Sequence, residues 1–415
     1  SYEGIPFHGW YYGNVRLTNE VGVSLDRFLF TEDIIVKARY FTPIYNLRDL
    51  LKVNDDLEGS YALMNNIHVV GNDWSPINNF TGNFDGQGFT ISGINITKKI
   101  KNYGLFGILE NANIQNITLK DFTVNITGSG NDSSHNIGML AGTVKGETSI
   151  SNVKSDKIIV NNSFTNNSYY IGGLVGVTSR DALLSFGGVE NAGDILLNDK
   201  TNRTIGGLIG AVGDDSETII INSVNNAKIQ GYEAVGGLVG INAGEKLSIE
   251  NSHNSGELIQ LVNEKSYRDH IVGGLVGSNH TNAHIKNSYN NGEIYGSSIL
   301  GGLVGGNSNL ITIEGSNNSG GFEFNYSTEY EGIVVGGLVG MSTGTSNIKN
   351  SSSSTNIISP SQYIIAGGLV GYQTWKLDIY QSYNSGEILT ESLYYVGGLI
   401  GFLEGSTVSK IAESY

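Results

Sequence analysis

The chain has 415 residues, among them 58 Gly, 4 Pro and no Cys, with 15% charged residues and a net charge of −15. Without cysteine there is no disulfide, zinc–thiolate site or thiol nucleophile, and scattered basic residues on an acidic chain argue against nucleic acid or anionic lipid as a partner. The longest apolar run, Gly332 to Met341, is about ten residues, well short of the roughly 20 that span a bilayer. Gly, Asn and Ser favour turns and strands over helices, and 39% apolar residues supply a continuous core.

The chain opens on Ser-Tyr-Glu, as if cut from a longer protein. Residues 1–42 then form a small β unit, with HGWYYGN, VGVSLDRFLFTED and IIVKARYF as strands and turns. Ile34, Val36 and Ala38 alternate with Ile35, Lys37 and Arg39, and Trp10, Tyr11, Phe28, Phe30 and Tyr40 form its expected core. The pattern GWYYG…T…G..LD…FTEDI.VKARY resembles the C-terminal half of a Listeria-Bacteroides repeat, a β-grasp-like module that occurs in tandem on bacterial surface proteins.

Residues 43–102 are the expected lead-in to a repeat. Leu47, Leu50 and Leu51 are spaced for a short helix from Asn46 to Val53, ended by Asn54-Asp55-Asp56. Such a helix suits the exposed end of a parallel stack, which needs a cover.

Residues 103–415 carry the repeat itself. Gly-Gly-Leu stands at Gly172-Gly173-Leu174 and again from positions 206, 236, 273, 301, 336, 367 and 397, at steps of 34, 30, 37, 28, 35, 31 and 30. Degenerate copies occur at Tyr103 to Gly107 and Ile137 to Gly142. Each period runs through VGGLVG, a turn, an alternating segment such as Leu247 to Asn251, an Asn/Gly turn and a short apolar strand near Ile259 or Ile294. Three strands in about 32 residues are too few for a kelch blade, and no leucine-rich-repeat frame is present. The expectation is an all-β, right-handed parallel β-helix solenoid of about ten three-strand coils, roughly 50 Å long at the usual strand spacing.

Columns support it. Asn191, Asn225, Asn254, Asn290, Asn318 and Asn384 share a register, with Ser353 the exception. This predicts an asparagine ladder, in a backbone that Asn tolerates when left-handed. Gly256, Gly292, Gly320 and Gly386 follow two residues later, as a sharp corner needs. Ser223, Ser252, Ser288, Ser316, Ser351 and Ser382 form a second column, and the repeated Leu of each block points inward; the Val beside it is left open. The core GLVG or GLIG, in eight copies, resembles the GLUG repeat. That resemblance implies a large bacterial surface or secreted protein, an adhesin or a non-catalytic region of an immunoglobulin A peptidase.

Chemistry is sparse. No HExxH or GxSxG motif occurs. His280 and His284 lie in a turn and a strand, where an i, i+4 spacing does not converge on a metal. Asp194, Glu257, Glu293 and Glu387 share a register with Lys228 and are expected on a solvated face, where they bind cations weakly at most. Asp55-Asp56 and Asp214-Asp215 are turn carboxylates. NxS/T triplets such as Asn95-Ile-Thr97 and Asn116-Ile-Thr118 arise by chance in so Asn-rich a chain.

Aromatics recur just before each Gly-Gly-Leu block: Tyr169, Tyr170, Tyr232, Tyr267, Tyr295, Tyr330, Tyr363, Tyr394 and Tyr395. Tyrosine suits sugar and protein surfaces, and loops of variable length on a rigid scaffold are where recognition sits. A structural stack stiffening the solenoid is the alternative. The expected function is therefore a non-catalytic extracellular adhesin or stalk, without cofactor or membrane insertion, that binds a host or neighbouring-cell glycan or protein. A substrate-positioning region of a secreted metallopeptidase and a glycan-cleaving β-helix enzyme are the alternatives. Further coils are expected beyond Tyr415, and an exposed apolar end would promote end-to-end association.

Overall fold

Two glycines set the shape of each coil. In the block Gly236-Gly237-Leu238, a Cβ on Gly236 would lie 1.9 Å from Val239 O, and one on Gly237 would lie 2.1 Å from Gly274 O in the next coil. Neither glycine has a positive φ; both are required because backbone meets backbone. The chain therefore bends at the block and divides it into two strands, Ala234–Gly236 and Val239–Asn242.

Repeated along the chain, the bend builds two ten-stranded parallel sheets, one from Asn102–Tyr103 to Val396–Gly397 and one from Phe106–Glu110 to Ile400–Leu403. A third face completes each coil. In two successive coils it is a single long strand, Asn113–Ile126 and then Glu147–Asn162. In later coils the same path is broken into three short strands, such as Lys246–Glu250, His253–Asn254 and Leu258–Gln260. The parallel β-helix is thus as expected, with five short strands per later coil rather than three. The computed structural model describes residues 4–415 except 14, 31–32, 70, 72, 127–133, 163–168, 198–202, 262–269, 325–331, 360–362, 392–393 and 406–408.

The core is columnar. Leu174, Leu208, Leu238, Leu275, Leu303, Leu338 and Leu369 are fully buried, and Leu399 in the last coil is partly so. The neighbouring column, Val175, Ile209, Val239, Val276, Val304, Val339 and Val370, is equally buried, which settles the Val question in favour of core. Each such side chain contributes about 1.5–3 kcal/mol on burial.

Stacking begins at Thr42–Ile44, which pairs in parallel with Ser60–Leu63. Between them lies the helix Leu47–Leu51, continued as a 3-10 turn Lys52–Asp55. Asn46 caps it, its side chain accepting from the backbone N–H groups of Arg48 and Asp49 at 2.9 and 3.2 Å. Leu50 and Val53 are fully buried in the same core cluster as Ile44 and Leu63, while Leu51 faces outward at 49% exposure.

Residues before this form a three-stranded antiparallel sheet, Phe7–Tyr12, Val15–Arg16 and Lys37–Tyr40. Its core differs from expectation. Of the five predicted aromatics only Tyr11 is buried; Trp10, Phe30 and Tyr40 are exposed. Tyr11 joins His8, Leu17 and Phe41 instead, with Arg39 stacked over its ring at 4.3 Å. Ile35 and Val36 precede the last strand and are exposed, so the alternation read there is realised only from Lys37.

Candidate functional site

Most polar side chains inside the coils bond one another. Asn191 Nδ2 donates to Asn225 Oδ1 at 2.8 Å, Asn225 to Asn254 at 2.6 Å, Asn254 to Asn290 at 2.7 Å and Asn290 to Asn318 at 2.8 Å. At Ser353 the ladder is diverted, and Asn318 donates to Thr355 Oγ1 at 2.7 Å. The expected left-handed backbone lies elsewhere. It falls on Asn152, Asn222, Asn251, Asn287 and Asn350, outside the ladder.

Nor do Gly256, Gly292, Gly320 and Gly386 turn a left-handed corner. A Cβ on any of them would lie about 2 Å from a carbonyl oxygen of the preceding coil.

The serine column is also a ladder. Ser252 Oγ accepts from Ser223 N at 3.0 Å and donates to Glu250 O at 2.8 Å, and Ser288, Ser316, Ser351 and Ser382 repeat the pattern. A further ladder, absent from the sequence reading, links Asn242, Asn279, Asn307 and Ser342 through bonds of 2.7, 2.8 and 2.9 Å. Its signal was an Asn two places after the GLVG core in GLVGIN, GLVGSN and GLVGGN.

The tyrosines do not form one column. Tyr169 is buried and stacks on His135 at 5.1 Å. Tyr170, next to it, faces outward, its hydroxyl pKa raised by burial and by the charges of Glu233 and Asp214. Tyr232 is buried. Tyr295 belongs to the third face, in the strand Ile294–Gly296, where burial, Glu257, Glu293 and Glu323 raise its pKa. Tyr363 packs against Tyr394 at 5.8 Å, and Tyr395 against Phe402 at 4.5 Å; Tyr394 and Tyr395 are half exposed. Tyr267 and Tyr330 lie outside the described residues. Segment length before the Gly block varies, so residues at similar sequence offsets land on different strands. Outward aromatic pairs occur instead at His253 with Tyr289 (4.5 Å, 7° between planes), Tyr372 with Phe402 and Tyr383 with Tyr415.

Two members of the acidic register, Asp194 and Glu257, engage Lys228. Glu257 bonds Lys228 Nζ at 2.7 Å, and Asp194 Oδ1 accepts from Lys228 N at 3.1 Å. His280 meets Ser278 and His284 faces Glu314, so the two histidines have different neighbours. Asp215 pairs with Arg180 at 3.4 Å, and Asp56 O accepts from Tyr61 Oη at 2.6 Å. Among the described residues no group of three His, Asp or Glu side chains could hold a metal ion, and no helix is long and apolar enough to cross a membrane.

Repeat and fold together define a GLUG-motif parallel β-helix, and the GLUG motif matches at residues 270–295. The chain is 30% identical over 242 residues to an "Immunoglobulin A1 protease" of Streptococcus sanguinis, across 48% of this chain and 12% of that protein. It is 31% identical over 143 residues to "Halomucin" of Haloquadratum walsbyi, across 34% of this chain and 1% of that protein. The chain thus spans a small part of the curated relatives it matches. Among solved structures it is similar to a putative immunoglobulin A1 protease from Bacteroides ovatus, with TM-score 0.44 at 16% identity, covering 74% of this chain and 84% of that one.

Proposed function

We propose that the chain is a non-catalytic, extracellular β-helix region of a large secreted, protease-related protein, and that it serves as a rigid arm positioning other parts of that protein. The observation that carries this reading is the stack itself: ten coils in register, with their inward polar groups bonded into ladders along the axis. Similarity to an immunoglobulin A1 protease supports the setting. Incubating the purified chain with immunoglobulin A1, with and without zinc, should leave the antibody intact. Cleavage abolished by a chelator would overturn the non-catalytic reading.

A second reading makes the arm adhesive through its outward tyrosines, favoured by the half-exposed Tyr394 and Tyr395. Its ligand would be a host or neighbouring-cell glycan or protein. Specific binding on a glycan or matrix-protein array that disappears in Tyr394→Ala/Tyr395→Ala would support it; binding unchanged in that variant would remove it.

A further inference from the structure

The third face carries a hollow of about 710 Å³ near the start of the solenoid. It exists because side chains shrink there. In register across the face run Asn113, Ser149, Ser185 and Ile219, and beside them Gln115, Ser151, Gly187 and Ile221. Two coils of Ser and Gly thus lie between flanks of amide and isoleucine side chains. Leu183 and Ile219, exposed at 47% and 37%, add apolar surface, and Glu147 and Glu217 stand in register on either side of Leu183.

Elsewhere in this chain many Asn and Ser side chains are bonded into ladders. In the hollow Ser149 and Ser185 are exposed and Asn113 is half-buried, all three on outward positions that alternate with the buried Ile114, Ile150, Leu184 and Phe186. Glu217 lies 3.9 Å from Lys246. Glu147 has no ion pair among the described residues, and no basic side chain lines the hollow.

The geometry points to a binding site for an extended neutral glycan, lying across the coils with its hydroxyls on Asn113, Ser149 and Ser185 and its C–H faces against Leu183 and Ile219. Successive coils repeat at about 4.8 Å, close to the length of one hexose unit in an extended chain, so consecutive sugar units can lie over consecutive coils. Amides and hydroxyls beside a small apolar platform form the mixed lining that fixes a polyhydroxylated ligand. The unpaired Glu147 and the net charge of −15 disfavour polyanionic glycans. An extended peptide fits less well, because the floor is the middle of a continuously paired sheet and offers no free strand edge. The site is separate from the outward tyrosines and does not depend on the rigid-arm reading.

Cellohexaose is the probe, titrated calorimetrically into the whole chain with a hexamer of galacturonic acid as the anionic comparator. Saturable binding of cellohexaose is expected, with the uronate at least about tenfold weaker. Ser149→Tyr and Ser185→Tyr fill the hollow from exposed positions on a strand and should each weaken binding about tenfold or more, with an unchanged circular dichroism spectrum. Ser248→Tyr, in the same register two coils beyond Ser185, should bind as the unaltered chain does. No binding of cellohexaose, equal binding of the uronate, or equal loss in Ser248→Tyr would each overturn the proposal.

Discussion

A single asparagine shows how polar residues stabilise an interior. Asn254 is buried, accepts from Asn225 and donates to Asn290 at 2.7 Å. Asn254→Ala leaves Asn290 Oδ1 without its donor, and a buried unsatisfied group costs about 1–3 kcal/mol. Urea unfolding should show that loss at an unchanged m-value. His8 gives a residue-scale prediction of opposite character. Burial, then Arg16, lowers its pKa from 6.5 to about 4, and its Nδ1 lies 2.7 Å from Tyr11 Oη. The unfolded chain therefore takes up a proton first as pH falls. Stability of the N-terminal sheet is full above about 6.5 and declines toward pH 4. Imidazole titration by NMR should place His8 near the lower value, and His8→Gln should remove its share of the pH dependence. Asparagine ladder positions were legible because one residue type repeats in one register. The position of the left-handed backbone was not, since neighbouring Asn residues offer the same tolerance.

Elements are governed by how closely coils approach. A Cβ on Gly274 would meet Gly302 O at 2.0 Å and Asn290 Cβ at 2.6 Å, whereas one on Gly398, the equivalent residue of the last coil, meets nothing within 4 Å. Gly274→Ala should therefore cost about 1–3 kcal/mol or more, and Gly398→Ala should stay within about 0.5 kcal/mol. Thermal melting of the two variants compares the same substitution with and without a coil stacked above it; equal losses would mean that the glycines serve some purpose other than close approach. The Gly-Gly-Leu block announced the strands because its demand is steric and recurs in each coil. The bend inside the block was less visible, so one strand was read where two exist. Aromatic residues near the N-terminus misled for a related reason: Trp10 and Tyr11 are adjacent on one strand and so face opposite sides, and composition alone does not say which side is covered.

At the scale of the whole molecule, sequence distance and spatial distance come apart. Among the described residues a single column of the third face stacks thirteen strands, from Thr42–Ile44 to Lys410–Ala412. Steps between Gly-Gly-Leu blocks vary from 28 to 37 residues while each coil adds the same rise. That constancy let the solenoid be recognised from a period, and it is also why the tyrosines were misplaced: variable segments shift a residue between strands without changing its order. The hollow on the third face was invisible for another reason, since it arises from small side chains meeting across two coils far apart in sequence.

The proposed rigid arm can be tested directly, because a chain without cysteine accepts a single pair of spin labels. Ser149 and Asn347 share one outward column, six coil steps apart through Ser185, Ile219, Ser248, His284 and Thr312. At about 4.8 Å per step, dipolar spectroscopy on Ser149→Cys/Asn347→Cys should give one narrow distance near 29 Å, allowing for the labels' own reach. Ser185→Cys/Asn347→Cys should be shorter by one step of about 4.8 Å, although 36 residues fewer separate the labels. Broad distributions, or distances that follow residue count instead of coil count, would contradict a rigid stacked arm.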